Sequence, residues 1–208
     1  MNDTDFSGKT VLVIGGSSGI GNGMAQAFRS RGADVHVWGT RADAADYDGV
    51  DGSDLAGLHY SRVDVSDRAA IDAHDPGFDG LDVLICCQGI VRYGREEFAR
   101  DGWDAVMAVN LDSVMDCAVK FKSLLAGAQG SLIIVSSVAG FSAAMGNPAY
   151  AASKAGAVSL TKSLGEAWAR DGIRVNGIAP GLVATKLTEV TTGNEARMKA
   201  SLRAIPLR

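Results

Sequence analysis

Apolar residues gather in six short runs along the chain: TVLVIGG (10–16), DVHVWG (34–39), LHYSRVDV (58–65), LDVLICC (81–87), GSLIIVSS (130–137) and IRVNGIAP (173–180). Most are nearly continuous rather than alternating, the pattern of strands buried on both faces. Between them lie longer segments with helical spacing. GMAQAFRSRG (23–32) is closed by Gly32, and WDAVMAVNLDSVMDCAVKFKSLLAG (103–127) by Gly127; each carries basic residues toward its end and then glycine, as helix C-termini prefer. This alternation predicts an α/β fold, a doubly wound parallel sheet with helices on both faces joined by right-handed crossovers. The Asp- and Gly-rich stretch 42–57 reads as a solvated connection with a short helical turn. No internal repeat or low-complexity tract interrupts the pattern.

Composition narrows the function classes. With 208 residues, 47% of them hydrophobic, the chain fits a single domain over 1–208. A net charge of -4 and the lack of a basic stripe exclude a general nucleic-acid binder, which needs clustered cations to neutralise phosphate. The N-terminal MNDTDFSGKT is acidic and polar, and no apolar run is long enough to span a bilayer. No membrane partner and a cytoplasmic location are therefore expected. Three cysteines build no disulfide framework and suit a reducing compartment. In LICCQG (84–89) the adjacent Cys86 and Cys87 alternate across a strand, so a disulfide between them would be strained. His36, His59 and His74 fit no metal spacing with Cys or carboxylates, and no metal site is expected.

The first strand-to-helix junction carries chemistry. VLVIGGSSGIG places Gly15, Gly19 and Gly21 between the first strand and a helix starting near Ile20. Glycine lets the backbone turn tightly and approach a pyrophosphate, while free N–H groups at the helix start supply donors.

The spacing G-x-x-x-G-x-G resembles that of the short-chain dehydrogenase/reductase family, and other elements of the family pattern follow in order. PAYAASKAG supplies Tyr150 and Lys154 as Tyr-x-x-x-Lys, Ser137 lies 13 positions before the tyrosine, and Asn110 stands in AVNLDS. NGIAPGLVATKL resembles the family's Pro-Gly segment after the sixth strand, and RVDVSD its Asp-Val pair beside the adenine. The likeness runs from about Lys9 to the chain's end. It implies a Rossmann-like fold and hydride transfer between a nicotinamide cofactor and a small alcohol or carbonyl substrate. Asn110, Ser137, Tyr150 and Lys154 are then the catalytic set. The implied cofactor contacts are Gly15, Ser17, Ser18, Gly19, Ile20, Gly21, Thr40, Arg41, Asp64, Val65, Gly89, Tyr150, Lys154, Pro180, Gly181, Val183 and Thr185. A homodimer or homotetramer, assembled through the helices carrying Asn110 and Tyr150, is also implied.

The chemistry has independent reasons. A phenol titrates near pKa ~10, so a tyrosine works at neutral pH only if its anion is stabilised. Lys154, one helical turn on, together with the charge of an oxidised nicotinamide, is expected to lower it. Ser137, at the carboxyl end of the fifth strand, can hold the substrate oxygen. From the family, Asn110 takes the role of kinking its helix and anchoring a proton relay to the lysine. At the end of the second strand Gly39, Thr40 and Arg41 stand where an acid would select the ribose 2′-hydroxyl. That favours NADP(H), with NAD(H) as the alternative and Asp43 close enough to compete for Arg41. Trp38 is expected near the adenosine.

Three departures from the family pattern stand out. Ile14 replaces a threonine, and CCQG replaces Asn-Asn-Ala-Gly, so Cys86 and Cys87 read as packing substitutions with some loss of polar bracing. The sequence ends at AIPLR, so the last helix and strand of the family fold are expected to be missing and the sixth strand to have an open edge. A different function class, a non-catalytic dinucleotide-binding sensor or scaffold, would have no use for Ser137 and Tyr150.

Overall fold

All six runs become strands, none longer than its run: β1 (Thr10–Ile14), β2 (Asp34–Gly39), β3 (His59–Arg62), β4 (Val83–Cys86), β5 (Ser131–Val135) and β6 (Arg174–Ile178). Every pairing is parallel and the order is β3-β2-β1-β4-β5-β6, the doubly wound arrangement expected. The computed structural model describes residues 5–203 and residue 205. The expectations resting on the chain's extreme ends, at 1–4, 204 and 206–208, fall outside the described residues. Among the described residues no helix is long and apolar enough to cross a membrane, and no strand pairs with the far edge of β6.

The two-sided apolar runs fill two cores by simple alternation. Leu12, Ile14, Trp38, Leu84, Cys86, Leu132 and Ile134 face one side, where they meet Phe121, Leu125, Leu164 and Trp168. Val11, Val13, Val35, Val37, Val83, Ile85 and Val135 face the other, against Ala25, Met24 and Phe28. The helices before β6 are α1 (Gly19–Arg29), α2 (Arg68–Ala73), α3 (Arg100–Met107), α4 (Ser113–Ala128) and α5 (Pro148–Ala167); the first group packs on α4 and α5, the second on α1. Cys86 and Cys87 obey the same rule: Cys86 lies in the first core and Cys87 packs on the second. All three cysteines are free. Trp38 is 1% exposed, its ring held against His74 and Phe121, so its ring is part of the core while the residue borders, beside Gly39, the cleft at the carboxyl ends of the strands.

The segment 103–127, read from its spacing as one helical stretch, is broken in the middle. A helix over Arg100–Met107 passes through a π-helical turn, Ala108–Asp112, into α4. The cause is Asn110, fully buried, whose amide accepts from Ile90 N at 2.8 Å and donates to Ile90 O at 2.9 Å and Ser153 Oγ at 3.2 Å. Widening the helix by one residue aims this side chain at the β4 loop, and such bulges recur at functional sites. The helix closes one residue past Gly127, with Gln129 in the left-handed conformation (φ 49°).

The stretch 42–57 is the largely exposed connection expected. It contains the short turn Ala44–Tyr47 and is pinned to α1. Asn22, 5% exposed, donates to Gly16 O and Asp54 O and accepts from Asp54 N, while Gly19 N donates to Gly52 O at 2.7 Å. The loop thereby becomes a wall beside the glycine-rich turn.

Candidate active site

The carboxyl ends of β1, β2, β4 and β5 open into a cleft of ≈ 450 Å³. Its floor is the turn between β1 and α1. Gly15 adopts φ 75°, and a methyl there would stand 2.8 Å from Gln88 N; one on Gly21 would overlap the Gly15 carbonyl. Only glycine allows the turn to fold this closely under a flat, anionic ligand. Ser17, Ser18, Gly19 and Ile20 continue that floor, and Thr40, Arg41 and Val65 line one end. Gly89, Tyr150, Lys154, Pro180, Gly181, Val183 and Thr185 line the other. Asp64 is the exception among the expected contacts: its carboxylate turns back on Ser66 N (3.0 Å) and Ser66 Oγ (2.7 Å), while its neighbours Val63 and Val65 line the cleft.

At the first end, Arg41 lies over the Tyr47 ring, 4.7 Å from its centroid, and donates to the Asp46 carbonyl. Asp43 is not its partner: the Asp43 side chain closes a capping box on the backbone N–H of Asp46, whose own carboxylate accepts from the Asp43 N–H. The guanidinium is therefore held at the end of β2 without being neutralised by Asp43.

At the other end, β5 grips α5 around Lys154. Ser136 Oγ donates to Lys154 O at 2.7 Å, and Lys154 Nζ donates to Val135 O at 2.9 Å. Lys154 is 5% exposed; burial pushes its pKa down to about 8, with Cys87 and Cys86 opposing. Its Nζ lies 5.8 Å from the Tyr150 ring centroid. A methyl on Gly89 would sit 3.5 Å from Lys154 Nζ and 3.6 Å from Asn110 Oδ1, so Gly89 is the crossing point of Asn110 and Lys154. Ser137 caps the turn Val138–Gly140 by accepting from Ala139 N at 3.1 Å, which leaves its hydroxyl proton to donate. That hydroxyl is also close enough to Tyr150 to bear on the phenol's titration.

The tyrosine's titration departs from the expectation. Burial pushes the Tyr150 phenol above its ordinary range; the Ser137 hydrogen bond opposes this, and Glu97 and Cys87 add to it. Lys154, whose ammonium is turned to the Val135 carbonyl, does not offset burial in the protein alone. Burial also pushes Cys86 up to about 12 and Cys87 to about 11. Both remain thiols at neutral pH, in keeping with the packing role expected of them.

Two residues of the site carry no signal in the linear sequence. Glu97 is 1% exposed; one oxygen accepts from Arg92 N (3.1 Å) and Asn147 Nδ2 (3.2 Å), the other from Tyr150 N (2.9 Å). It closes the N-terminus of α5, where a negative group also meets the helix dipole. Gln88 supplies bracing that Cys86 cannot: Gln88 Nε2 donates to Ser113 Oγ at 2.9 Å, and Ser113 Oγ to Val109 O at 2.7 Å.

A family model described as short chain dehydrogenase matches residues 9–196. A 3-oxoacyl-[acyl-carrier-protein] reductase FabG of Chlamydia pneumoniae is 34% identical, over 99% of this chain and 85% of its own. A 2-dehydro-3-deoxy-D-gluconate 5-dehydrogenase of Dickeya dadantii is 32% identical, over 99% and 84%. Among solved structures, the Pseudomonas aeruginosa RhlG/NADP active-site complex superposes with a TM-score of 0.87 at 28% identity, covering 98% of this chain and 84% of that one.

Proposed function

The chain belongs to the short-chain dehydrogenase family, and from that premise we propose how this NAD(P)-dependent oxidoreductase handles its substrate. When bound, the nicotinamide supplies or accepts a hydride at the substrate carbon. In the reducing direction Tyr150 gives its phenolic proton to the carbonyl oxygen as that oxygen gains charge. Ser137 donates a hydrogen bond to the same oxygen, lowering the cost of the developing alkoxide. Lys154 holds positive charge near the phenol once the proton has gone, and Asn110, anchored on the Ile90 backbone, supports the proton relay to Lys154. The glycine-rich turn and the ends of β2 and β5 hold the dinucleotide. One observation carries this reading: Ser137, Tyr150 and the buried Lys154 line one cleft whose floor is the glycine-rich turn, with the Lys154 ammonium 5.8 Å from the phenol ring centroid.

The substrate is a small molecule with an alcohol or the corresponding ketone or aldehyde. The relatives' names span acyl thioesters and sugar acids, so NADPH consumption over ketones, sugar acids, steroids and acyl thioesters is the direct test. Turnover on at least one class is expected. Tight dinucleotide binding with no turnover on any would favour the sensor or scaffold reading.

The cofactor is NADP(H) in preference to NAD(H). The RhlG complex holds NADP, and in this chain Gly39, Thr40 and Arg41 place a cation and no acid at the end of β2. Arg41→Ala is expected to raise the KM for NADPH about 10- to 150-fold, for a lost charge-assisted hydrogen bond of about 1.5–3 kcal/mol, and to leave the KM for NADH nearly unchanged. Steady-state kinetics with both cofactors check this; an NADH preference in the unmodified protein would overturn it. The domain assignment, 1–208 as one unit, and a cytoplasmic location belong to the same proposal. So does assembly as a homodimer or homotetramer, for which Met115 and Val119, exposed on α4, supply apolar surface.

A further inference from the structure

We propose that Asp34, His36 and His59 form a second site, remote from the cleft, that binds a divalent transition-metal ion such as Zn2+. The placement comes from strand register. Asp34 and His36 are two residues apart in β2 and so point to one face, and parallel pairing sets His36 directly opposite His59 of β3. Neighbours in register on adjacent strands share a face, so three metal-competent side chains stand side by side. Both imidazoles are drawn to one carboxylate: His59 Nε2 lies 2.9 Å from Asp34 Oδ1, and His36 Nε2 3.5 Å from Asp34 Oδ2. The rings stack, with centroids 4.6 Å apart and planes at 24°. One ligand atom from each of the three residues lies within 4.8 Å of the others, the one such group of three among the described residues.

These distances are close to what an ion requires. Around a tetrahedral Zn2+ with bonds near 2 Å, ligand atoms are about 3.3 Å apart. His36 is largely covered and packs edge-on to Phe78 at 4.8 Å, which makes it the fixed ligand. His59 and Asp34 are mostly exposed and free to rotate by the small amount that brings three lone pairs onto one point. Water completes the coordination. Two imidazoles and one carboxylate suit Zn2+, Ni2+ or Cu2+, whereas Mg2+ and Ca2+ prefer sets made wholly of oxygen. The site lies toward the amino ends of β2 and β3, opposite the ends that carry Thr40, Arg41 and Ser137. An ion there ties the edge strand to its neighbour and touches no reacting atom.

Calorimetric titration of the EDTA-stripped full chain with ZnCl2 is the test, paired with thermal melts. The unmodified protein is expected to bind one ion per chain and to melt higher in Zn2+ than in EDTA, while MgCl2 gives neither effect. His59→Ala and Asp34→Asn, both surface changes, should each weaken Zn2+ binding about tenfold or more and abolish the melting shift. Equal Zn2+ binding by the unmodified protein and both variants would send the metal elsewhere, to the thiols for instance, and overturn the proposal. Absence of Zn2+ binding by the unmodified protein would overturn it as well. None of these outcomes depends on the dehydrogenase reading.

Discussion

Replacing Tyr150 with phenylalanine is expected to lower carbonyl reduction by about 100- to 10,000-fold, the range a positioned general acid contributes, while dinucleotide affinity changes by no more than a few-fold. The split follows from where the atoms lie. The ring and backbone of Tyr150 form part of the wall of the cleft and of the first turn of α5, and phenylalanine keeps both. Only the hydroxyl is lost, and with it the proton. The pH dependence has a defined sign. Burial raises the phenol's pKa, Ser137 opposes, and the Glu97 and Cys87 charges add to the rise, so the protonated form persists through neutral pH into the alkaline range. Reduction, which consumes that proton, should therefore be flat around neutrality and fall only at high pH. Alcohol oxidation needs the phenolate and should climb as pH rises. Steady-state rates in both directions, with cofactor affinity from fluorescence titration, separate these effects. Undiminished reduction by Tyr150→Phe would remove Tyr150 as the acid.

What the sequence made legible, it made legible through local rules. A strand buried on both faces must be apolar at every position, so β1, β4 and β5 announce themselves without an alignment, and Gly15 and Gly21 mark a turn no side chain could enter. Tyr150 and Lys154 share a helix face at any i, i+4 spacing. What stayed hidden depends on partners far along the chain. Asn110 looks like any helix residue until Ile90 and Ser153 are placed around it. Asn22 has no visible purpose until Asp54 folds across it. Asp64, chosen by its place in RVDVSD, prefers the hydroxyl and N–H two residues on, a local bond that competes with facing the cleft. His36 and His59 stand 23 positions apart in the chain, and only the pairing of β2 with β3 brings their rings together. Linear spacing could not reveal that pair, because register between non-consecutive residues is a property of the sheet.

Glu97 is the hidden residue with the largest consequence. Glu97→Ala is expected to destabilise the protein by about 2 kcal/mol or more, since it leaves the N–H groups of Arg92 and Tyr150 without their acceptor, at roughly 1–3 kcal/mol each. The Asn147 amide, the third donor, loses one of two acceptors and keeps Arg92 O. A carboxylate accepts at both oxygens and offers no competing donor, which is why three N–H groups can converge on it. Glutamine keeps one acceptor and turns its NH2 toward a donor, so Glu97→Gln should cost about half as much. Thermal melts order the three proteins. Activity adds a second reading, because Tyr150 N is one of the three donors. At a temperature where each protein is fully folded, loosening the first turn of α5 should lower kcat more than it changes cofactor affinity. The charge adds a third. The Glu97 carboxylate is one of the groups holding the Tyr150 phenol up, after burial, so Glu97→Gln should move the alkaline limb of the reduction profile to lower pH. A residue that merely filled space would shift the melting temperature and leave that limb in place. An unmoved limb in a folded, active Glu97→Gln protein would reduce Glu97 to a structural cap.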